Sequence, residues 1–256
     1  DEPFGDPILI PTYFLSRVAS RDVKVVLTGE GADEGQMGYI HQESLSVALA
    51  LGKALPSALL RSIRRLVPGI PVSLLDRAFH YPSSMGLSGR GRLGELIGSL
   101  KSPGKAYQVF TSLFTAEERD RLYGPILKAG KTQAEEEYHG PLQARLDRSR
   151  APLDEIYRHD LKHWLPDNIL NKQDRMTMAS SVEGRVPFLD HRIVEFEAAL
   201  PRHLKIRMGR GKRLLRTLYH RRYSIRGRDR MKKKAFFMPL DGAFAPSFRA
   251  LAGVYL

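Results

Sequence analysis

The 256-residue sequence contains no cysteine. This absence excludes disulfide bonds, thiolate metal sites and a cysteine nucleophile. Long apolar runs are also missing, because none approaches the roughly 18 to 20 residues that a helix needs to span a bilayer. The first six residues lack the basic and apolar regions of a signal peptide. Together these absences predict a cytoplasmic protein.

The chain does not begin with methionine, and its first residues, Asp1-Glu2-Pro3-Phe4, resemble the interior of a protein. We therefore expect an excised domain or a truncated product of a longer protein. The length allows one large domain or two small ones. We interpret residues 1–256 as a single domain.

Positive charge is concentrated in one segment. The formal net charge is +13, and residues 202–234 carry 15 Lys and Arg against one acid, Asp229. The rest of the chain is therefore almost neutral. Such a segment can face nucleic acid, an acidic partner or a polyphosphate. A nucleic-acid-binding module is disfavoured, because only Tyr219 and Tyr223 could stack on bases and no known binding motif occurs.

The stretch from Val25 to Glu34 is the most informative part of the sequence. Residues 25–28 predict a buried strand, because three apolar side chains and a threonine suit a covered, pleated segment. Gly29 and Gly31 follow, and they permit backbone angles and close approaches that a Cβ would forbid. The pattern predicts a strand that leads directly into a loop.

Three carboxylates lie in this loop, at Glu30, Asp33 and Glu34. Oxygen donors at the end of a strand suit a hard cation such as Mg²⁺, and open α/β sheets bind their ligands at strand ends. Acidic residues are also favoured at the start of an ordinary helix. The loop by itself therefore leaves a metal site and a solvated helix start both open.

The remaining sequence predicts mostly helices. Thr115 and Glu118 form a capping box, so a helix should begin at Ala116, and Asp190 should cap a helix that follows it. Ser, Gly and Arg predict a flexible loop over residues 83–94. Strands are almost absent after residue 30, so the chain is mainly α with a remnant of parallel β-sheet. Apolar residues at helical spacing cover 39–53, 56–67, 153–164, 167–182, 191–200 and 212–222, with a break at Pro166.

Three blocks of sequence occur in a specific order. They are Gly29-Glu30-Gly31-Ala32-Asp33-Glu34; residues 165–191, which include Asp174-Arg175-Met176-Thr177-Met178 and Val182-Glu183-Gly184-Arg185-Val186-Pro187-Phe188-Leu189-Asp190-His191; and Gly209-Arg210-Gly211-Lys212 with Lys233-Lys234-Ala235-Phe236-Phe237-Met238-Pro239-Leu240. In this order they resemble the C-terminal synthetase domain of glutamine-dependent asparagine synthetases. The resemblance implies part of an adenine-nucleotide α-hydrolase-like (ATP pyrophosphatase) α/β domain.

The resemblance also implies a reaction in two steps. The side-chain carboxylate of aspartate attacks the α-phosphorus of ATP and releases pyrophosphate, and ammonia then displaces AMP from β-aspartyl-AMP. Such chemistry needs Mg²⁺, fixed cations and positioned carboxylates. The implied partners are small molecules, namely aspartate, ATP, and ammonia or glutamine through a separate glutaminase domain. No nucleic acid or membrane is implied, and the full-length form is expected to be a homodimer.

Family roles transfer to individual positions of the motif. Asp33 would hold Mg²⁺, and Glu30 would orient ammonia or accept its proton, with Gly29 and Gly31 beside the nucleotide. Glu34 would brace the loop. The catalytic lysine, which also contacts pyrophosphate, aligns with Lys233, and Lys234 is the alternative after a one-residue slip.

The middle block supplies further candidates. Asp174 is the preferred residue for the wall that faces aspartate, and Arg175 is the second choice. Glu183, Arg185 and Asp190 are expected to form a buried structural network under the site, and direct substrate contact is the alternative.

The segment Gly209-Arg210-Gly211-Lys212 fails the Walker pattern. That pattern requires glycine at position 206 and serine or threonine after the lysine, whereas Ile206 and Arg213 occupy these positions. We interpret the segment as a turn followed by the start of a helix. Its Lys212 could still contact a phosphate group.

Two departures from the family pattern bear on activity. Two apolar residues and two glycines usually follow the position of Glu34, whereas this chain has Gly35-Gln36-Met37-Gly38. The pyrophosphate-binding sequence Ser-Gly-Gly-x-Asp-Ser and the glutaminase cysteine are both absent. We therefore expect the chain to be inactive without a preceding segment. A related AMP-forming amide or lactam synthetase and a degenerate, non-catalytic remnant are the alternatives.

Overall fold

The computed structural model describes residues 4–70, 86–112 and 114–223. None of the helices in these ranges has the length and the apolar composition needed to cross a membrane. The helices are α1 Leu9–Ala19, α2 Ala32–Gly35, α3 Ile40–Ala54, α4 Ser57–Leu66, α5 Gly86–Ser99, α6 Pro103–Thr111, α7 Ala116–Leu122, α8 Pro125–Arg148, α9 Pro152–His159, α10 Asn171–Met178, α11 His191–Ala199, α12 Arg202–Lys205 and α13 Arg213–Tyr223; the strands are β1 Val25–Leu27 and β2 Glu183–Arg185. Short 3₁₀ helices cover Val67–Gly69 and Pro187–Leu189. The prediction of a mainly helical chain with a remnant of parallel sheet is confirmed.

The described residues pack into two compact units. One contains residues 4–36, 159–200 and 214–223, and the other contains 37–70, 86–112, 114–158 and 201–213. The interpretation of the whole chain as a single domain stays a prediction.

The first unit is built around the parallel pair of strands. Val25, Val26 and Leu27 of β1 pair in register with Glu183, Gly184 and Arg185 of β2. Helix α10 packs against both α1 and β2. Its approach to β2 depends on Gly184, because a Cβ there would lie 2.7 Å from the amide nitrogen of Gln173.

The prediction that β1 is a buried strand is wrong for this chain. Val25 is 37% exposed and Leu27 is 73% exposed. Parallel strands are usually covered on both faces by helices and by neighbouring strands. Here β1 pairs with β2 alone within the described ranges, so its apolar side chains remain in contact with solvent.

The second unit is helical. Helix α3 packs on α6, α6 packs on α8, and α4 packs on α5. Leu45, Ala106, Leu146 and Ile156 are completely buried and form its core. The capping box is confirmed: the Thr115 hydroxyl accepts the backbone N–H of Glu118 at 3.2 Å, and the Glu118 carboxylate accepts that of Thr115 at 2.7 Å.

Two sequence predictions about irregular segments are corrected. Residues 86–94, which were predicted to lie in a flexible loop, begin helix α5, and residues 83–85 lie outside the described ranges. Packing of α5 against α4 overrides the weak helix propensity of its glycines and serines. The predicted break at Pro166 is also wrong, because a π-helical segment, Asp160–Leu170, carries the chain from α9 to α10. Wider π-type turns accommodate a residue that lacks a backbone N–H.

Candidate active site

The loop after β1 starts from a firmly held residue. The backbone N–H of Thr28 donates to the carbonyl oxygen of Arg185 at 2.9 Å. Its hydroxyl donates to the side-chain oxygen of Gln173 on α10 at 3.1 Å. Because both bonds hold Thr28, the loop that begins at Gly29 leaves the carboxyl end of the parallel pair at a defined position. This is the edge of a sheet where α/β proteins bind ligands.

The two loop glycines have different surroundings. No atom of the described residues lies within 4 Å of the position that a Cβ would take on Gly29. Gly31 has φ of +91° in the left-handed region, and a Cβ there would overlap the side chain of Leu189. The backbone at Gly29 is therefore open to a ligand such as a phosphate, whereas Gly31 is required by the conformation and packing of the loop.

The three loop carboxylates also differ in burial. Glu30 and Asp33 are half-buried, so solvent and ligands can reach them. Glu34 is only 1% exposed. Asp33 and Glu34 lie in the first turn of the short helix α2. The division in which Glu30 and Asp33 face the chemistry and Glu34 braces the loop stays a prediction.

Asp174 lies next to the residue that holds the start of the loop. It is exposed in the first turn of α10, one position after Gln173, the partner of Thr28. The helix itself is fixed to the start of the described chain. Lys172 forms an ion pair with Asp6 at 2.6 Å, and the guanidinium of Arg175 lies 5.1 Å from the ring centre of Phe4. Arg175 is thus in contact with Phe4, and the choice of Asp174 over Arg175 for the wall that faces aspartate stays a prediction.

A buried polar pair lies beneath the loop. The side-chain amide of Gln36 donates to the Glu197 carboxylate of α11 at 2.7 Å, and both residues are at most 3% exposed. Gly35 leaves the space for this carboxylate, since a Cβ on Gly35 would overlap it. The departure Gly35-Gln36 therefore replaces apolar packing by a hydrogen-bonded pair. Glu197 escaped the sequence analysis, because nothing local connects two residues 161 positions apart.

Met37 occupies the place of a glycine in the family pattern. Its φ of +51° lies in the left-handed region, which costs an ordinary residue about 1–2 kcal/mol. Its side chain is only 1% exposed. Burial of a methionine side chain contributes roughly 1.5–3 kcal/mol, which is enough to offset that strain.

The predicted buried network of Glu183, Arg185 and Asp190 is wrong. The side chains of Glu183 and Arg185 pair with each other at 2.9 Å and are 58% and 61% exposed. Their mutual hydrogen bond lowers the pKa of Glu183. Asp190 instead pairs with Arg192 at 2.8 Å and caps α11 by accepting its backbone N–H. Arg192 holds the pKa of the Asp190 carboxyl far below its usual range, chiefly through its side-chain hydrogen bond. The predicted capping role of Asp190 is confirmed.

The segment Gly209–Lys212 is the predicted turn. The backbones of Arg207 and Arg210 exchange hydrogen bonds of 3.1 and 3.0 Å across Met208 and Gly209, whose φ values are +50° and +71°. Positive φ at both central residues is the signature of a type I′ turn. Gly211 then donates its N–H to the Glu43 carboxylate at 2.7 Å.

Lys233 and Lys234 lie outside the described residues. Over residues 4–70, 86–112 and 114–223, no group of three or more histidine, aspartate or glutamate side chains could hold a metal ion. Within these ranges the candidate site therefore consists of the Gly29–Glu34 loop with Asp174 on the neighbouring helix.

Comparison with known proteins places this sequence in a family. The family model for asparagine synthase matches residues 1–255. A Mycobacterium tuberculosis protein, named provisionally an asparagine synthetase (glutamine-hydrolyzing), is 35% identical over 210 residues, which cover 80% of this chain and 28% of that protein. Asparagine synthetase (glutamine-hydrolyzing) 1 of Bacillus subtilis is 32% identical over 223 residues, covering 84% of this chain and 31% of that protein.

The chain thus spans less than a third of the length of these two relatives. No solved structure matches significantly. The family has an adenine-nucleotide α-hydrolase-like fold, as the resemblance implies. A model match over nearly the whole sequence shows that this chain belongs to the asparagine synthase family.

Proposed function

We propose that this chain is the C-terminal part of an ATP-dependent carbon–nitrogen ligase that makes asparagine. Aspartate, ATP and ammonia are the substrates, and a separate glutaminase domain releases the ammonia from glutamine. The observation that carries the proposal is the loop after β1, where the backbone at Gly29, which no described residue covers, lies four residues before the half-buried Asp33. The names of the relatives support the same reaction.

Mg²⁺ fits this site as an ion shared with the nucleotide. Mg²⁺ is usually bound by one or two carboxylates and completes its shell with water and substrate phosphates, so a cage of protein ligands is not required. The half-buried Asp33 at a strand end supplies one such carboxylate. The ion, when bound, would neutralise charge on the departing pyrophosphate.

The remaining groups act on the two covalent steps. An aspartate carboxylate oxygen bonds to the α-phosphorus of ATP as the bond to pyrophosphate breaks. Ammonia then bonds to the activated carbonyl carbon and AMP leaves. Glu30 is half-buried and can orient ammonia and accept the proton it loses. Asp174 lines the aspartate side, and Lys233, or Lys234 after a slip of one position, provides the cation that stabilises the phosphate charge.

The chain acts as one part of this enzyme. It lacks a Ser-Gly-Gly-x-Asp-Ser sequence for pyrophosphate and any cysteine for glutamine hydrolysis. We therefore expect no turnover from these 256 residues alone. Activity requires the longer protein, for which a homodimer and a cytoplasmic location stay predictions.

The test is aspartate-dependent release of pyrophosphate by the longer protein. We expect Asp33→Asn to lower turnover at least about 100-fold, since it removes a carboxylate that acts on transition-state charge. Asp22→Asn is the matched control, because Asp22 is exposed before the same strand and should leave turnover unchanged. Turnover of other acyl substrates but not of aspartate would contradict the proposal and would identify the protein as a related amide or lactam synthetase. Unchanged turnover in Asp33→Asn would remove the assigned role of Asp33.

A further inference from the structure

Gln173 on α10 is in contact with both strands of the first unit. Its side-chain oxygen accepts the hydroxyl of Thr28 at 3.1 Å, and Thr28 is the last residue before the Gly29–Glu34 loop. Its side-chain nitrogen lies against β2, since a Cβ on Gly184 would come within 2.7 Å of it. Gln173 is only 7% exposed. A buried amide therefore lies between α10, β2 and the residue that follows β1.

The chemical nature of this side chain is not explained by packing. A buried amide is more costly than an apolar side chain of the same length, because its polar atoms lose water and must be hydrogen-bonded again. Methionine has the same length and would fill the space beside Gly184 equally well. What the amide adds is a directional bond to Thr28, which lies 145 positions earlier in the chain. That bond constrains where the loop begins.

Helix α10 is itself firmly held within the first unit. It packs against α1, and Lys172 forms an ion pair with Asp6 at 2.6 Å. The lysine side chain of this pair is only 12% exposed, so the pair is poorly screened by solvent. Because the helix is anchored, its bond to Thr28 fixes the start of the loop relative to the helix.

We propose that Gln173 is a positioning residue for the nucleotide. It acts through Thr28 and sets the positions of the backbone at Gly29 and the carboxylate of Asp33. The inference rests on the proposed function, in which this loop receives the phosphates of ATP with Mg²⁺. Groups that are ordered before a ligand arrives bind it more tightly, because less freedom is lost on binding. Loss of the Thr28–Gln173 bond should therefore weaken the binding of ATP.

The first test is Thr28→Val in the longer protein, measured as aspartate-dependent release of pyrophosphate. Valine has the shape of threonine and lacks its hydroxyl. We expect the KM for ATP to rise about fivefold, the factor that corresponds to one neutral hydrogen bond. The KM for aspartate should stay within about twofold, because α10 and Asp174 are unchanged. Thr28→Ser keeps the hydroxyl and should bring the KM for ATP back to within about twofold of the unmodified protein.

Gln173→Met removes the other partner of the same bond. We expect the KM for ATP to rise about fivefold here as well, and about fivefold again in the double variant with Thr28→Val. Independent effects would multiply to about 25-fold, whereas two changes that remove one bond do not add. The dissociation constant of ATP with Mg²⁺, measured by titration calorimetry, should rise by the same factor. This measurement needs no aspartate, so it tests Gln173 separately from the proposed reaction.

The matched control is Thr177→Val. Thr177 is buried on the same helix, and its hydroxyl donates to the backbone carbonyl of Gln173 at 3.1 Å and to that of Asp174 at 3.2 Å. Its loss should lower the free energy of unfolding and leave the KM for ATP unchanged, because a purely structural defect reduces only the amount of active enzyme. An unchanged KM and dissociation constant for ATP in Thr28→Val, or multiplied effects in the double variant, would overturn the proposal.

Discussion

Two Gly-x-Gly turns in this chain look alike in sequence and differ in structure. Gly29-Glu30-Gly31 follows β1 and leads into acidic residues, whereas Gly209-Arg210-Gly211 lies between basic residues. In the basic turn, both glycines are in contact with other parts of the second unit. A Cβ on Gly209 would lie 2.9 Å from Val47, and one on Gly211 would overlap the backbone carbonyl of Met37.

The acidic turn uses its glycines in another way. Gly31 packs against Leu189, whereas nothing in the part of the chain that the structure describes packs against Gly29. A glycine whose Cα is in contact with other residues leaves no room for a ligand. A glycine without such contacts could carry a side chain as far as packing is concerned, so its missing side chain is available for the approach of a ligand. Packing thus gives Gly31, Gly209 and Gly211 a structural role, and we propose that a ligand approaches at Gly29.

Gly211→Ala should produce the largest loss of stability. The new Cβ would collide with the carbonyl oxygen of Met37, and backbone cannot move aside as a side chain can. We expect a loss of about 3 kcal/mol or more in the free energy of unfolding, at the upper end of overpacking effects. Urea titration followed by circular dichroism measures it. Gly124→Ala is the control, because no described atom lies within 4 Å of the Cβ position of Gly124 and its φ is −67°. Equal stability of the two variants would show that the basic turn is not packed as described.

Gly31→Ala should have the next largest effect. It combines a left-handed φ, which costs about 1–2 kcal/mol with a Cβ, with crowding against the movable side chain of Leu189. We expect a loss of about 2–3 kcal/mol in unfolding free energy. Gly29→Ala, two residues earlier, should change stability by less than about 1 kcal/mol. In the longer protein it should nevertheless raise the KM for ATP, because a methyl group would occupy the open approach. Similar losses of unfolding free energy in the two variants would contradict the inference that Gly31 is packed and Gly29 is not.

The Gln36–Glu197 pair beneath the acidic turn provides a third test. We expect Gln36→Leu and Glu197→Leu each to cost about 1–3 kcal/mol, because each leaves a buried polar partner without its hydrogen bond. The double variant should cost less than the sum of the two single changes, since it removes both polar groups at once. Denaturant titrations of the four proteins measure this coupling. Strict additivity would mean that the pair does not interact in solution.

The features that the sequence predicted correctly are those that depend on residues close together in the chain. The capping box at Thr115 and the cap at Asp190 are present because each needs only residues within one helical turn. The mainly helical character followed from apolar spacing in the same way. Besides the predicted break at Pro166, three predictions failed because they depended on distant partners: the burial of β1, the loop over 86–94, and the network of Glu183, Arg185 and Asp190. Their outcome was decided by which surfaces pack together.

The sequence by itself determined the family, the helical character and the carboxylates of the candidate site, because these follow from residue identity and short-range spacing. Tertiary structure alone decided which glycine stays open, that Glu34 is buried, and that Gln36 meets Glu197. It also placed Arg64, Arg92, Lys105 and Arg119, from four different helices, around one cavity of the second unit. Burial and hydrogen bonding between segments far apart in the chain depend on packing, for which neighbouring residues provide no signal.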